Sequence, residues 1–350
     1  MPNPSSLTLN YNAILSTTLF NMRRKFEDAI STANAVYFTM KKNGAISEVE
    51  DIGDRMQIPL MYELGQADSY SGYDVLDTTP MDGLTSAFEE WSQAAVPIAI
   101  SGLEQKKNNS DSKVIDLLDT KTKQAILGIQ EFFNKRFLQG AGGATITTAY
   151  TSAVNGSTFI TPLPKLVAYD PTAALTVHNI PQGTYTWWRN VTKNSTSATY
   201  AAFLKELRSA RNNATKGPGG APDLHIADQA TTEVYEAALA AAHQNPSYQK
   251  ADIPFDNVAF YGKPLTWDEF VPDAQGGSAT QSATSGTWYM LNMRYFGMKV
   301  HSGTNFTPTP FTKPENQDAK VAHILWLGAV AVSNRRKQGV VGGIDTTIAS

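Results

Sequence analysis

The residue types that do chemistry are sparse in this chain and badly spaced for it. The five histidines are His178, His225, His243, His301 and His323. None forms an HxxxH or HExxH pair, the spacing that puts two imidazoles on one helix face for a metal. The chain has no cysteine, which removes thiolate nucleophiles, cysteine-held metals and disulfides. Gly140-Ala141-Gly142-Gly143 and Gly217-Pro218-Gly219-Gly220 are rich in glycine. Neither leads into Gly-Lys-Ser/Thr or lies between a strand and a helix as a dinucleotide loop does, so they read as a helix stop and a turn. There is no GxSxG elbow. Glu48, Glu50 and Asp51, and the pair Glu89-Glu90, read as solvated faces, since a calcium loop needs more oxygen ligands. Trp187-Trp188-Arg189-Asn190 could stack a sugar or base. Packing in a core or interface is the stronger reading, because Trp and Arg concentrate where proteins touch proteins. The basic clusters Arg23-Arg24-Lys25 and Arg335-Arg336-Lys337 could meet DNA, RNA or a neighbour's carboxylates. No catalytic, cofactor-binding or metal-binding residue is assigned.

Composition points the same way. Apolar residues make up 41 % of the 350, enough for a large core, while charged residues make up 17 %, below the ~25 % of an average chain. A surface with little charge suits burial against partners. The net charge of −3 lacks the basic excess of a dedicated nucleic-acid binder, so DNA beside this protein would be enclosed more than gripped. The start, Met1 to Ser6, has neither a basic nor an apolar signal region. No apolar run approaches the ~18 residues of a membrane span. The Asn-x-Ser/Thr triplets at Asn155, Asn190, Asn194 and Asn305 read as chance in an Asn- and Thr-rich chain.

The elements that would position these residues follow from periodicity. Residues 1–20 read as an extended arm, and 22–40 as a helix through Phe26, Ile30, Ala33 and Tyr37, ended by Asn43-Gly44. Residues 55–62 and 88–101 read as two extended arms around a turn-rich stretch. Each arm contains a Pro, which argues against a central strand, so the arms must pack on something outside the excursion. The clearest element is 111–139. Val114, Leu118, Ala125, Ile129, Phe132 or Phe133, and Phe137 recur at helical spacing, with Asp111 placed to cap it and Asp116, Asp119, Lys135 and Arg136 matching the dipole. Two further helices are predicted at 200–213 and 229–244, around a short apolar segment, 224–226. Residues 275–286 read as a flexible loop. The aromatic run 287–300 and the segment 320–334 read as strands buried on both faces.

This order of elements resembles the major capsid proteins of tailed bacteriophages, whose shell fold is shared with encapsulins and the herpesvirus capsid floor. The resemblance is carried by PLMYELGQADSYSGYDVLDTTPMD with EEWSQAAVPIAIS, the helix KVIDLLDTKTKQAI, TWWRN, PDLHIADQATTEVYEAAL, GKPLTWDE, and the stretch from GTWYMLNMRYFGMKV to VSNRRKQGVV. It implies an α+β chain with an N-terminal arm at 1–44 and a hairpin excursion, the E-loop, at 45–100. A peripheral P-domain follows at 101–139 and 287–338, with an axial A-domain at 140–286 and a C-terminal tail at 339–350. It implies a structural protein and not an enzyme. Such a protein assembles with itself as hexamers and pentamers into an icosahedral head in the host bacterial cytoplasm. Its implied partners are a scaffolding protein (the arm being short for an internal scaffold), a portal protein, possible cement or decoration proteins, and packaged double-stranded DNA contacted weakly. No cofactor and no membrane are implied. The alternatives are an encapsulin-like compartment, or a carbohydrate-binding or hydrolytic protein using Trp187, Trp188 and Glu89 or Glu90. Some relatives weld their shells through an E-loop lysine, and no lysine stands between Asn43 and Gln105 here.

Overall fold

The computed structural model describes residues 34–50, 53–63, 69–75, 82–107, 111–139, 160–241, 258–271 and 285–348. The expectations for the extended arm, for Arg23-Arg24-Lys25, for Gly140–Gly143, for His243 and for the 275–284 loop lie outside these residues. So do those for the side chains of Asp111, Val114, Asp116, Leu118 and Asp119.

The first described helix, α1 (Ala35–Lys42), begins where Asn34 accepts from the Tyr37 amide and ends at Asn43-Gly44, with Gly44 at φ +66°. Strand β1 (Ile46–Val49) follows, then a hairpin of β2 (Met56–Met61) and β3 (Leu84–Glu89), then β4 (Ser92–Ser101). The second predicted arm, 88–101, is therefore two strands broken at Glu90-Trp91. A short helix α2 (Gly102–Lys107) leads into α3 (Asp111–Gln139), the long helix that the periodicity predicted. Its 29 residues span about 43 Å. After α4 (Leu163–Leu166) come a two-residue hairpin of β5 (Thr176–Val177) and β6 (Ile180–Pro181), then β7 (Val191–Asn194), α5 (Tyr200–Thr215), β8 (Leu224–Ala227) and α6 (Gln229–Ala241). The chain closes with β9 (Val258–Phe260), β10 (Lys263–Trp267), β11 (Ser285–Leu291), β12 (Phe296–His301), β13 (Thr307–Pro308), β14 (Ala319–Val332) and β15 (Gly339–Asp345).

Two sheets organise these strands. The first runs β1-β12-β14-β13, with β4 also paired to β14. Its inner face buries Ile98, Ile100, Met298, Val300, Ala322, Ile324 and Trp326 against Ala125, Ile129, Phe133 and Phe137 of α3. Phe133 meets Trp326 edge-on at 5.4 Å and Tyr37 at 5.6 Å. Pro97 is tolerated in β4 because that strand pairs only with β14. The second sheet runs β7-β15-β11-β8-β10-β9. Trp288, Met290 and Val341 face α5 and α6 on one side. Tyr289, Leu291, Leu224, Ile226 and Val340 join the core of the first sheet on the other. This is the double burial that the aromatic run announced, but only in its first half, since β12 alternates buried and half-buried residues.

That run is not one strand, however. It breaks at Met293–Tyr295, where the Asn292 side chain caps a 3-10 turn by accepting from the Arg294 amide. The halves β11 and β12 enter different sheets. Residues 339–345 are also not a tail. β15 is an interior strand between β7 and β11, and Gly339–Gly342 are buried. Its glycine-rich, weakly patterned sequence hid this.

Buried polar groups tie the halves together. Asn34 donates to Asn134 on α3 at 2.6 Å, and Asn134 donates to Asp268 after β10 at 2.7 Å. Burial raises the Asp268 carboxyl above its ordinary value, while the bonds from Asn134 and the Phe270 amide oppose that shift. Asp228 precedes α6, where it accepts from the Thr231 amide and hydroxyl and from the Thr287 amide. Burial raises its carboxyl too, against those bonds.

Candidate assembly surface

The hairpin β2–β3 is the element least explained by its own contacts. Met56 pairs with Glu89 and Met61 with Leu84 in antiparallel register. A lone two-stranded hairpin is marginal in water, and this one is held from below. Met56, with Ile58 and Trp91, packs on Ala329 and Ala331 of β14. Leu60 and Ala87 pack with Ile180 and Trp188, joined by Ile58 and Trp187. Tyr62 stacks on Trp187 at 5.2 Å. The tryptophan pair is thus a footing for the hairpin. Trp188 is 2 % exposed, and its ring nitrogen donates to the Val177 carbonyl.

A buried histidine completes the footing. His178 and Asn179 form the turn between β5 and β6, with φ of 52° and 66°. A tight hairpin with both central residues in the left-handed region matches strand twist, and His and Asn bear that conformation better than most residues. His178 Nδ1 lies 2.6 Å from the Glu89 carboxylate, and Nε2 accepts from the Val332 amide at 3.1 Å. These bonds fix the tautomer with the proton on Nδ1. Thr161 donates to the other Glu89 oxygen, and the Phe88 amide donates to the His178 carbonyl. An imidazole beside a carboxylate looks like half a hydrolytic apparatus. A general base needs a free Nε2 lone pair at a surface. Here a backbone amide occupies it, and the His178 side chain has no exposure. The group is an anchor.

The hairpin's outward side carries a Gln57–Ser86 hydrogen bond near its base and turns apolar at its far end. Met61 and Leu84 are 67 % and 73 % exposed as a cross-strand pair. Beyond them Tyr70, Tyr73 and Val75 are also exposed. Scattered exposed apolar residues are normal, but a cluster on one projection marks a surface that meets another protein.

The other candidates disperse. His225 is buried beneath Phe260 and Trp288 in the second sheet. His301 accepts from the Gly303 amide, and His323 lies exposed on β14. Glu48 accepts from Asn305. Glu90 is exposed beside Arg55. The basic cluster 335–337 does not face a partner as a unit. Arg335 is fully buried and donates to the carbonyls of Leu166 and Trp188 and to the side chains of Gln182 and Asn190. Lys337 donates to the carbonyls of Thr215, Lys216 and Gly217 at the end of α5, where a cation complements the dipole. Only Arg336 of the three is exposed. Among the described residues, no group of three or more His, Asp or Glu could hold a metal ion, and no helix is long and apolar enough to cross a membrane. In the sequence, His178 reads as a lone histidine and Glu89 as a solvated carboxylate, and no local signal joins the two.

No family model matches the sequence, and no curated protein is significantly similar to it. Solved structures do match. The chain superposes on the capsid asymmetric unit of cyanophage A-1(L) with a TM-score of 0.57 at 13 % identity, covering 87 % of this chain and 93 % of that one. The capsid of the Myoviridae phage XM1 gives 0.51 at 9 %, covering 87 % and 92 %. The encapsulin complex of Synechococcus elongatus gives 0.52 at 10 %, covering 86 % and 85 %. A long helix beneath one sheet, a helix-covered second sheet and a projecting hairpin therefore form the fold of tailed-phage major capsid proteins and encapsulins.

Proposed function

We propose that this chain is the shell-forming subunit of a tailed-phage head, a structural protein that assembles with itself into hexamers, pentamers and a closed capsid around double-stranded DNA. The observation that carries this reading is the hairpin. It is footed on its own subunit by Glu89, His178, Trp187 and Trp188, yet presents Met61, Leu84, Tyr70, Tyr73 and Val75 to solvent. An anchored arm with an exposed apolar end gains stability when another molecule covers it, and repeated head-to-tail coverage closes into rings. The shared fold supports the same reading. A scaffolding protein and a portal are the further partners this role calls for, the virion is its place, and assembly would occur in the host cytoplasm. An encapsulin-like compartment is the second reading, since an encapsulin complex also shares the fold, at a TM-score of 0.52 against 0.57 for the cyanophage capsid.

Negative-stain microscopy of the purified chain, alone and co-expressed with its neighbouring genes, tests the proposal. Closed shells or capsomers are the expected result. A strictly monomeric species at high concentration under both conditions would overturn it. Particles from infected cells that carry nuclease-protected DNA support the phage head. Particles that enclose a protein cargo and no DNA would favour the compartment.

A further inference from the structure

A cleft of about 690 Å³ opens where the two sheets and the base of the hairpin meet. Its size falls within the roughly 300–1,000 Å³ of small-molecule sites. One wall is apolar, made by Met56 and Ile58 of the hairpin base, Phe296 of β12 and Ala331 of β14. The other is polar. Asp223, just ahead of β8, and Arg294 and Tyr295, in the 3-10 turn between β11 and β12, supply it.

Hydrogen bonds hold the polar wall in place. The Met293 amide donates to Asp223 Oδ1 at 2.7 Å, and the Asp223 amide donates to the Leu291 carbonyl. The Ser333 amide donates to the Tyr295 carbonyl at 2.9 Å. The Asn292 side chain donates to the Gly219 carbonyl at 3.1 Å. The turn is thus tied to the segments before β8 and after β14. Groups already ordered lose little entropy when a ligand meets them.

Two opposite charges line this cleft without meeting. Among the described residues, no other residue donates to the second oxygen of Asp223. That carboxylate is half-buried, and burial raises its pKa against the Met293 amide and the charge of Lys263. The Arg294 side chain is exposed and makes no ion pair or hydrogen bond among the described residues. A simple cation drawn to Asp223 would be repelled by Arg294, and a simple anion drawn to Arg294 would be repelled by Asp223. A molecule that carries both charges satisfies both groups. An aliphatic stretch between its charges can then lie on the apolar wall.

We propose that this cleft binds a small zwitterion of the amino-acid class, with its ammonium on Asp223, its carboxylate on Arg294 and its carbons against Met56, Ile58 and Phe296. A guanidinium takes a carboxylate through two parallel bonds, which fixes the ligand's direction in the cleft. The site goes beyond the shell reading, because it is complete within one subunit.

Isothermal titration of the unassembled full-length chain with 6-aminohexanoate, hexylamine and hexanoate tests this. Expected is saturable binding of 6-aminohexanoate, roughly tenfold or more tighter than either singly charged compound. The melting temperature should rise with its concentration. Asp223→Asn keeps an oxygen for the Met293 amide, and Arg294→Gln alters an exposed side chain. Each should leave the melting temperature of the free chain unchanged and weaken binding by roughly tenfold or more. No saturable binding of 6-aminohexanoate, equal binding of hexylamine or hexanoate, or parental affinity in either variant would overturn the site. The comparison of the three compounds uses the parent chain, so it decides the matter even where a variant fails to fold. Loss of the site would leave the shell reading intact, whereas a chain that binds 6-aminohexanoate and never assembles would overturn the shell reading alone.

Discussion

Replacing His225 should remove an acid sensitivity built into the second sheet. The side chain is fully buried, edge-on to Phe260 at 5.1 Å and near Trp288, whose ring nitrogen donates to His225 Nδ1 at 3.4 Å. Burial pushes its pKa from 6.5 down to about 3, with the nearby positive charges of Arg211 and Lys263 acting in the same direction. The unfolded chain therefore binds a proton below pH 6.5 that the folded chain refuses. The stability this gives is complete above the unfolded value and drains as pH falls toward the folded one. Each unit costs about 1.4 kcal/mol, so the loss at pH 5 is about 2 kcal/mol. His225→Phe keeps an aromatic ring and cannot titrate. It also deprives the Trp288 ring nitrogen of its acceptor, a cost that is the same at both pH values. Urea unfolding of the unassembled chain, followed by tryptophan fluorescence at pH 7.5 and pH 5.0, gives the two stabilities. The difference between them should be smaller in the variant by about 2 kcal/mol. Burial raises the carboxyls of Asp223, Asp228 and Asp268. Their contribution has the opposite sign, present at low pH and lost as pH rises, and it cancels between variant and parent. Equal pH dependence in the two proteins would refute the claim that His225 is held neutral.

Lys337→Met should lower stability by about 2–3 kcal/mol, because three carbonyls at the end of α5 lose their only charged donor among the bonds described. A melting curve checks it, and a loss under half a kilocalorie would mean that water replaces the ammonium. Mature particles boiled in detergent should give a single band near 38 kDa, since the hairpin segment between Asn43 and Gln105 offers no lysine amine to form an interchain amide. A ladder of covalent oligomers would overturn that and turn attention to Lys41 and Lys42.

What could be read from the sequence is what depends on local pattern. The α3 helix was legible because Ala125, Ile129, Phe133 and Phe137 repeat at its pitch over many turns. The helices at 200 and 229 were legible for the same reason; the strand at 320 was legible from its apolar run, although only its second half, from Gly328, is buried on both faces. Tertiary structure decided what depends on partners distant in the chain. Glu89 reads as a solvated carboxylate until β5–β6 brings His178 to it across 89 positions. Arg335 and Lys337 read as a surface charge run until Trp188, 147 positions away, and α5 supply carbonyls for their donors. The run 287–300 is apolar throughout, so periodicity cannot say where it changes sheets; the Asn292 cap and two different sets of neighbours do. Register fixes which residues of β4 and β14 face outward, and register is a property of the pair. The sequence by itself thus determined the elements whose pattern is local, such as α3 and the helices at 200 and 229. Only the tertiary structure determined which charges are internal and which apolar surface is left to be covered, because burial and hydrogen bonding are set by contacts that no local window contains.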